Sequence, residues 1–411
     1  MPNAPPRPRA RLAKLGLALA ATAAALLVGE AALRIAGVSY PNFYRPDVRR
    51  GWALEPGAEG WWRKEGEAYV RINSGGLRDD EHPLRKAPRT LRIAVLGDSC
   101  TEALQVPVEQ TFWKLLEREL GHGPALAALG APAVETLNFG VAGYGTAQEL
   151  QTQRYEVWKY QPDFVLLAFY TGNDVRNNDR QLEQDPSRPY FVQGRGGGLE
   201  LDDSFRRTLG YRLRLTAPVR LLYAVFNRVR LLQLAKQGKS TLDGWVGAAK
   251  ARSKENGEAL QELGLDNAVY VPPRGGDWDR AWRVTEAMIL AMRDDAAAHR
   301  AGFGVVTLSN GIQVHPDPEV RRAFMRRLGL ATLFFPDQRI AALGRASGIP
   351  VLNLAPPLQE LASRQHLFLH GFANTRPGEG HWNARGHAAA APLVAAWLGA
   401  ELAHRSPVGS K

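Results

Sequence analysis

The chain has 411 residues, 45% of them hydrophobic and 23% charged, a balance that excludes wholesale disorder and supplies side chains for a sizeable core. Its formal net charge of +11 is spread along the sequence, without zinc-finger spacing or an RNA-binding aromatic signature, so nucleic acid is not expected as a partner. The charge is read as an arginine-rich solvated surface, with an anionic membrane or an acidic polysaccharide as the partners it would favour.

Arg7, Arg9, Arg11 and Lys14 precede an uncharged run over 15–29, the arrangement of a signal peptide or an N-terminal membrane anchor. Fifteen helical residues reach only about 22 Å against a hydrocarbon core of about 30 Å. Extension to Ala36 makes up the difference, with Glu30 and Arg34 four apart as a pair near the headgroups. Ala23 and Ala25 offer a cleavage site, but a cut there leaves Leu26-Leu27-Val28 as an apolar end. The uncleaved anchor over 1–36 is therefore preferred to secretion after cleavage, with the chain beyond it facing a periplasm or the exterior. Residues 37–90 are rich in turn formers without a clear period and are expected to wrap the domain. Trp52, Trp61 and Trp62 there are read as covering the core rather than resting at the membrane interface.

Strand-like runs at 92–96, 134–138, 164–169, 304–308 and 350–354 alternate with helical patterns at 109–120, 147–159, 278–300, 336–346 and 384–402. Such alternation predicts an α/β fold with about five parallel strands, and right-handed crossovers put helices on both faces. One catalytic domain over 91–404 is expected. Between 175 and 276 the pattern breaks: Asn177-Asn178, the glycine-rich 194–198 and Pro272-Pro273 punctuate a basic, apolar helical stretch over 212–236. This is read as an insertion whose helix packs on the main domain, covers the site as a lid, or lies on a membrane surface. Residues 405–411 read as a disordered tail.

Gly97-Asp98-Ser99 ends the first of these strands and delivers a hydroxyl to the C-terminal edge of the sheet, where open α/β folds place their chemistry. A serine is a poor nucleophile at its free pKa, so acyl transfer needs a base to take its proton and donors to hold the developing oxyanion. The backbone N–H of Ser99 is one candidate donor. Asn138-Phe139-Gly140-Val141-Ala142-Gly143 follows the second strand and offers the N–H of Gly143; Gly172-Asn173-Asp174 follows the third and offers the Asn173 amide. Of nine histidines, His381 alone combines a preceding acid, in Glu379-Gly380-His381-Trp382-Asn383, with a following run that opens a helix. It is the candidate base, with Glu379 as the acid that orients it; His387 is read as structural. Cys100, the single cysteine, excludes an intramolecular disulfide and is read as a small core residue rather than the nucleophile. No H-E-x-x-H or clustered Cys/His spacing implies a metal, Gly140 to Gly145 does not match a dinucleotide fingerprint, and no cofactor is expected.

These four blocks resemble those of the SGNH, or GDSL-type, hydrolase superfamily, and particularly its membrane-anchored bacterial members, over roughly residues 90 to 400. The resemblance implies a flavodoxin-like three-layer fold with Ser99 as nucleophile, Gly143 and Asn173 as oxyanion donors, His381 as base, and Asp98 and Asp174 as structural supports. One departure stands out. The family usually places Asp three residues before the histidine, where this chain has Gly378, and Glu379 lies one position later.

The expected activity is that of a serine esterase acting on O-acyl esters, such as acetyl groups of a cell-envelope or exported glycan. An O-acetyltransferase using the same acyl-enzyme is the alternative within that chemistry. A binding or assembly module with a retired site is the alternative from another class.

Overall fold

A computed structural model of the chain describes residues 8–122, 131, 133–194, 196–239 and 267–403. Arg7, the tail expected at 405–411 and residues 240–266 of the expected insertion lie outside them.

Four short strands precede the main sheet: β1 (Tyr44–Asp47) pairs with β2 (Gly51–Leu54), and β3 (Glu59–Trp62) with β4 (Ala68–Arg71), both antiparallel. The central sheet is built from β5 (Thr90–Gly97), β6 (Ala133–Asn138), β7 (Phe164–Tyr170), β10 (Gly302–Leu308) and β11 (Val351–Asn353). Their order is β11-β10-β7-β5-β6, parallel throughout. A small hairpin, β8 (Tyr190–Gln193) with β9 (Leu199–Asp202), lies outside the sheet.

The period-2 alternation of β5 sends its side chains into two separate cores. Ala94 and Leu96 pack with Leu137, Leu167, Val305 and the helices Thr146–Tyr155 and Gly276–Ala298. Ile93 and Val95 pack with Leu166, Val306 and the helices Phe112–His122, Ala355–Gln365 and Ala384–Ala403. This is the flavodoxin-like three-layer sandwich that the sequence predicts. Helices at Pro318–Leu328 and Ala355–Gln365, and the two N-terminal hairpins, add to the elements expected from the pattern. Because β6 and β7 flank β5, successive crossovers leave from opposite sides of it. A crevice opens where they diverge, beyond the carboxyl ends of the strands.

The N-terminal hairpins cover that end of the sheet. Phe43, Leu54, Val70 and Ile72 form a third core with Leu104, Val141 and Tyr144, residues that follow β5 and β6. Trp52, half-buried, packs edge-on to Tyr144, their rings 5.8 Å apart. Ahead of the hairpins runs the helix Pro8–Ile35, in which Leu12–Ile35 has a mean hydropathy of 1.9 and no buried side chain. It is the one helix among the described residues long and apolar enough to cross a membrane.

Candidate active site

Strand β5 ends at Gly97, and the chain turns at once into the four-residue helix Ser99–Glu102. The turn is tight: a Cβ on Gly97 would fall 2.2 Å from Thr101 Oγ1, so only glycine lets the helix start so close to the strand. Buried Asp98 caps the helix, its Oδ1 accepting the Cys100 N–H at 2.9 Å, which leaves the Ser99 hydroxyl at the edge of the crevice.

His381 meets that hydroxyl. Its Nε2 lies 2.8 Å from Ser99 Oγ, although the two residues are 282 positions apart. The loop that carries His381 is fixed from both sides: the Gly371 N–H donates to the His381 carbonyl, the Asn383 N–H to Leu369 O, and the His370 carbonyl accepts the Gly378 N–H. His370 is itself buried and holds neutral, since burial pushes its pKa down to about 4; its ring nitrogens bond Gly380 O and the Ser309 hydroxyl.

The acid beside the imidazole is Glu65, and this corrects the expectation of Glu379. Glu65 Oε2 lies 2.5 Å from His381 Nδ1, and its Oε1 accepts the His381 backbone N–H at 2.7 Å. Glu379 instead faces outward, 3.9 Å from the Arg376 guanidinium. The physical reason lies in Gly378 and Gly380, both at positive φ, which turn the chain on either side of Glu379 so that acid and histidine, neighbours in sequence, point apart. Gly380 also makes room: a Cβ there would fall 2.2 Å from Glu65 Oε1. Glu65 reaches the site from the turn joining β3 to β4, which is tied down by Asn374, whose side chain bonds both the N–H and the C=O of Gly66.

Burial disfavours charge on both partners, and their pairing overrides it. Burial pushes the His381 pKa down, but the hydrogen bond and charge of Glu65 leave it above the usual 6.5. Burial pushes Glu65 up, yet His381 holds it below the usual 4.5. With Nδ1–H donated to Glu65, Nε2 is the acceptor for the serine proton, the tautomer that a general base needs.

Gly143 and Asn173 follow β6 and β7. The Gly143 carbonyl accepts from buried Arg188 and the Ala142 carbonyl from the Trp52 indole at 3.0 Å, which hold this loop by its oxygens; no described acceptor engages the Gly143 N–H. Asn173 Nδ2 donates to Asp98 Oδ2 at 3.1 Å. An amide carries two N–H groups, so one remains for a ligand while the carboxylate fixes which way the amide faces. Asp174 is fully buried, and its Oδ2 accepts the Tyr170 N–H at 2.7 Å, closing the turn that presents Asn173. Glu149 is buried as well; burial first, then the charge of Asp98 on Glu149 and of Glu149 and Asp98 on Asp174, push both carboxyls well above the usual carboxylate range.

Cys100 and His387 stand apart from this chemistry. Cys100 is buried in the core beside β5. His387 stacks on Phe112 and accepts its N–H at 3.2 Å, and burial pushes it down to about 3.

A cleft of about 680 Å³ reaches the site at Ala142 and Gly143. Its walls carry Trp52, Tyr44 and Tyr223 with Arg45 and Arg214.

No protein-family model matches the chain, and no curated protein sequence matches it. Solved structures align with it at low identity. The acetyl xylan esterase AlAXEase is 12% identical, with a TM-score of 0.37, covering 76% of this chain and 99% of its own. A catalytic mutant of Axe2, an acetylxylan esterase from Geobacillus stearothermophilus, is 12% identical with a TM-score of 0.36, covering 78% and 97%. LAE5, an alpha/beta hydrolase enzyme from the metagenome of Lake Arreo, Spain, is 12% identical with a TM-score of 0.35, covering 75% and 94%.

Proposed function

We propose that this chain is a membrane-anchored serine esterase, facing away from the cytoplasm, that cleaves O-acyl esters through an acyl-enzyme on Ser99. The observation that carries the reading is the unbroken relay from the Ser99 hydroxyl through both nitrogens of His381 to Glu65. Ser99 Oγ attacks the acyl carbonyl as its proton passes to Nε2, and Glu65 stabilises the imidazolium that forms. The N–H groups of Ser99 and Gly143 and the second amide hydrogen of Asn173 hold the tetrahedral oxyanion. His381 then gives its proton to the leaving alcohol oxygen, and a water activated by the same nitrogen releases the acid.

The substrate proposed is an acetylated glycan of the cell envelope or an exported one. Aromatic faces interleaved with guanidinium groups in the cleft beside Gly143 suit sugar rings that bear polar or anionic groups. The basic residues ahead of the apolar helix favour an outward orientation.

Incubation of the detergent-solubilised full chain with a fluorophosphonate, followed by intact mass, tests the reading. One adduct is expected on the native chain and none on Ser99→Ala; absence of an adduct on the native chain overturns the esterase proposal. An acetylated sugar supplied with and without an acceptor sugar then separates hydrolysis, which yields free acetate in both, from transfer.

A further inference from the structure

The helix Ala217–Arg228 is packed on the protein the wrong way round for a surface helix. Its inward side holds half-buried Val219 and Phe226 and is tied down by polar contacts: Asn227 exchanges hydrogen bonds with the backbone of Asn42, at 2.9 and 3.1 Å. In the next helix, over 230–239, Gln233 is 1% exposed, and its side chain bonds Tyr40 N–H and the Asn227 carbonyl. The outward side is apolar. Pro218, Leu221, Leu222 and Val225, spaced as one helical stripe, all face out, with Leu221 66% and Leu222 65% exposed. Leu209 and Leu213 extend the patch at 72% and 51%. Around it stand exposed Arg212, Arg214, Arg220 and Arg228. A contiguous apolar face of this kind marks a contact surface.

The same helices are joined to the end of the apolar N-terminal helix. Glu30 accepts the backbone N–H groups of Arg230 and Leu231 at 3.0 and 3.1 Å, capping the second helix, and Arg34 donates to the Arg228 carbonyl at the end of the first. Glu30 lies about 8 Å short of Ile35 at 1.5 Å per residue. If Leu12–Ile35 spans the bilayer, that junction sits at the boundary between headgroups and acyl chains, the depth at which an amphipathic helix buries its apolar face.

We propose that residues 209–234 form a seat on an anionic phospholipid bilayer. Leu221, Leu222 and Val225 enter the acyl boundary, and the flanking arginines meet the headgroups. The seat rests on the membrane-anchor reading above and deepens it, because it fixes the orientation of the domain. Tyr223 and Arg214 line the cleft that reaches Gly143, so the seated surface also forms part of the approach to the candidate active site.

The test uses the full chain in vesicles of phosphatidylcholine and phosphatidylglycerol. The environment-sensitive dye NBD is placed at one introduced cysteine at a time: Leu27→Cys in the anchor, Leu222→Cys on the seat, and Glu360→Cys, whose native side chain is 60% exposed. Nitroxides on the lipid chains are expected to quench the Leu222→Cys dye several-fold more than the Glu360→Cys dye, and less in vesicles without phosphatidylglycerol. Quenching at Leu27→Cys with none at Leu222→Cys overturns the seat and leaves the anchor standing; no quenching at either overturns both. A blue-shifted but unquenched Leu222→Cys dye overturns the lipid assignment in favour of a second copy or another protein. Equal quenching in both lipids overturns the anionic preference.

Discussion

Glu65 holds His381 at two points, ring and backbone, although 316 positions separate them. A carboxylate with both oxygens committed to one residue fixes the plane of the imidazole as well as its tautomer. That is the orienting role which triad acids perform.

Glu65→Gln should therefore lower kcat for p-nitrophenyl acetate by about a thousandfold to ten-thousandfold with little change in KM, because the wrong tautomer faces the serine. Glu379→Gln should leave both constants at the native level. Loss at position 379 with retention at position 65 would reverse the assignment.

Gly380→Ala tests the same contact from the other side. Its methyl would occupy the space of Glu65 Oε1, at a positive φ that alanine adopts with strain. It should cost about 1 kcal/mol of stability or more, together with much of the activity. Combined with Glu65→Gln, it should add little further loss of kcat, since residues acting as one unit are not additive.

Glu65 raises the His381 pKa, and the base works only when neutral. The acidic limb of the kcat/KM profile should thus have its midpoint above the ordinary imidazole value of 6.5. Replacing the carboxylate by an amide removes that stabilisation of the imidazolium, so the limb should move to lower pH in Glu65→Gln. An unmoved limb would mean that His381 does not set the profile.

Asn173→Ala should lower kcat by about a hundredfold to a thousandfold with a small effect on KM, the loss seen when one oxyanion donor is removed. It also takes a hydrogen bond from buried Asp98. A thermal melt alongside the kinetics separates the two effects: a kcat loss far beyond the change in melting temperature supports the donor role.

Glu102 follows Ser99 by three residues, fully buried against Tyr44, whose hydroxyl donates to it at 3.0 Å. Burial pushes its carboxyl up to about 8 against the usual 4.5. The native state then keeps this proton after the unfolded chain has lost it, so stability falls as pH rises from about 4.5 to about 8. Glu102→Gln should flatten that decline when melting temperature is followed across the window.

Much of this was legible in the chain itself, for reasons that differ by element. Buried parallel strands read as near-continuous apolar runs, and β5, β7 and β10 stand out for that reason, whereas β6 and β11 at the sheet edges are only partly buried and are marked by their place between helical patterns. Ser99 and His381 could be picked out because one ends such a run and the other opens a long helix, and the structure brings their side chains into contact. Glu65 carries no such mark. It sits in a turn-rich stretch without period, and its partner is known only once the hairpin folds over the sheet. Glu379 drew attention through proximity in sequence, which two glycines at positive φ undo. The inverted helix Ala217–Arg228 was harder still, since its apolar stripe reads the same whether it faces a core or a lipid.

The turn between β3 and β4 has one more implication, for how the protein is to be cut. A fragment beginning at Thr90 keeps every strand of the main sheet, the nucleophile and the imidazole. It would nonetheless arrive without its carboxylate. It would also lose Arg78 and Asp79, whose buried side chains bond the Glu102 carbonyl and the Asn138 N–H, so the removed segment supplies both the acid and the brace of the nucleophile loop.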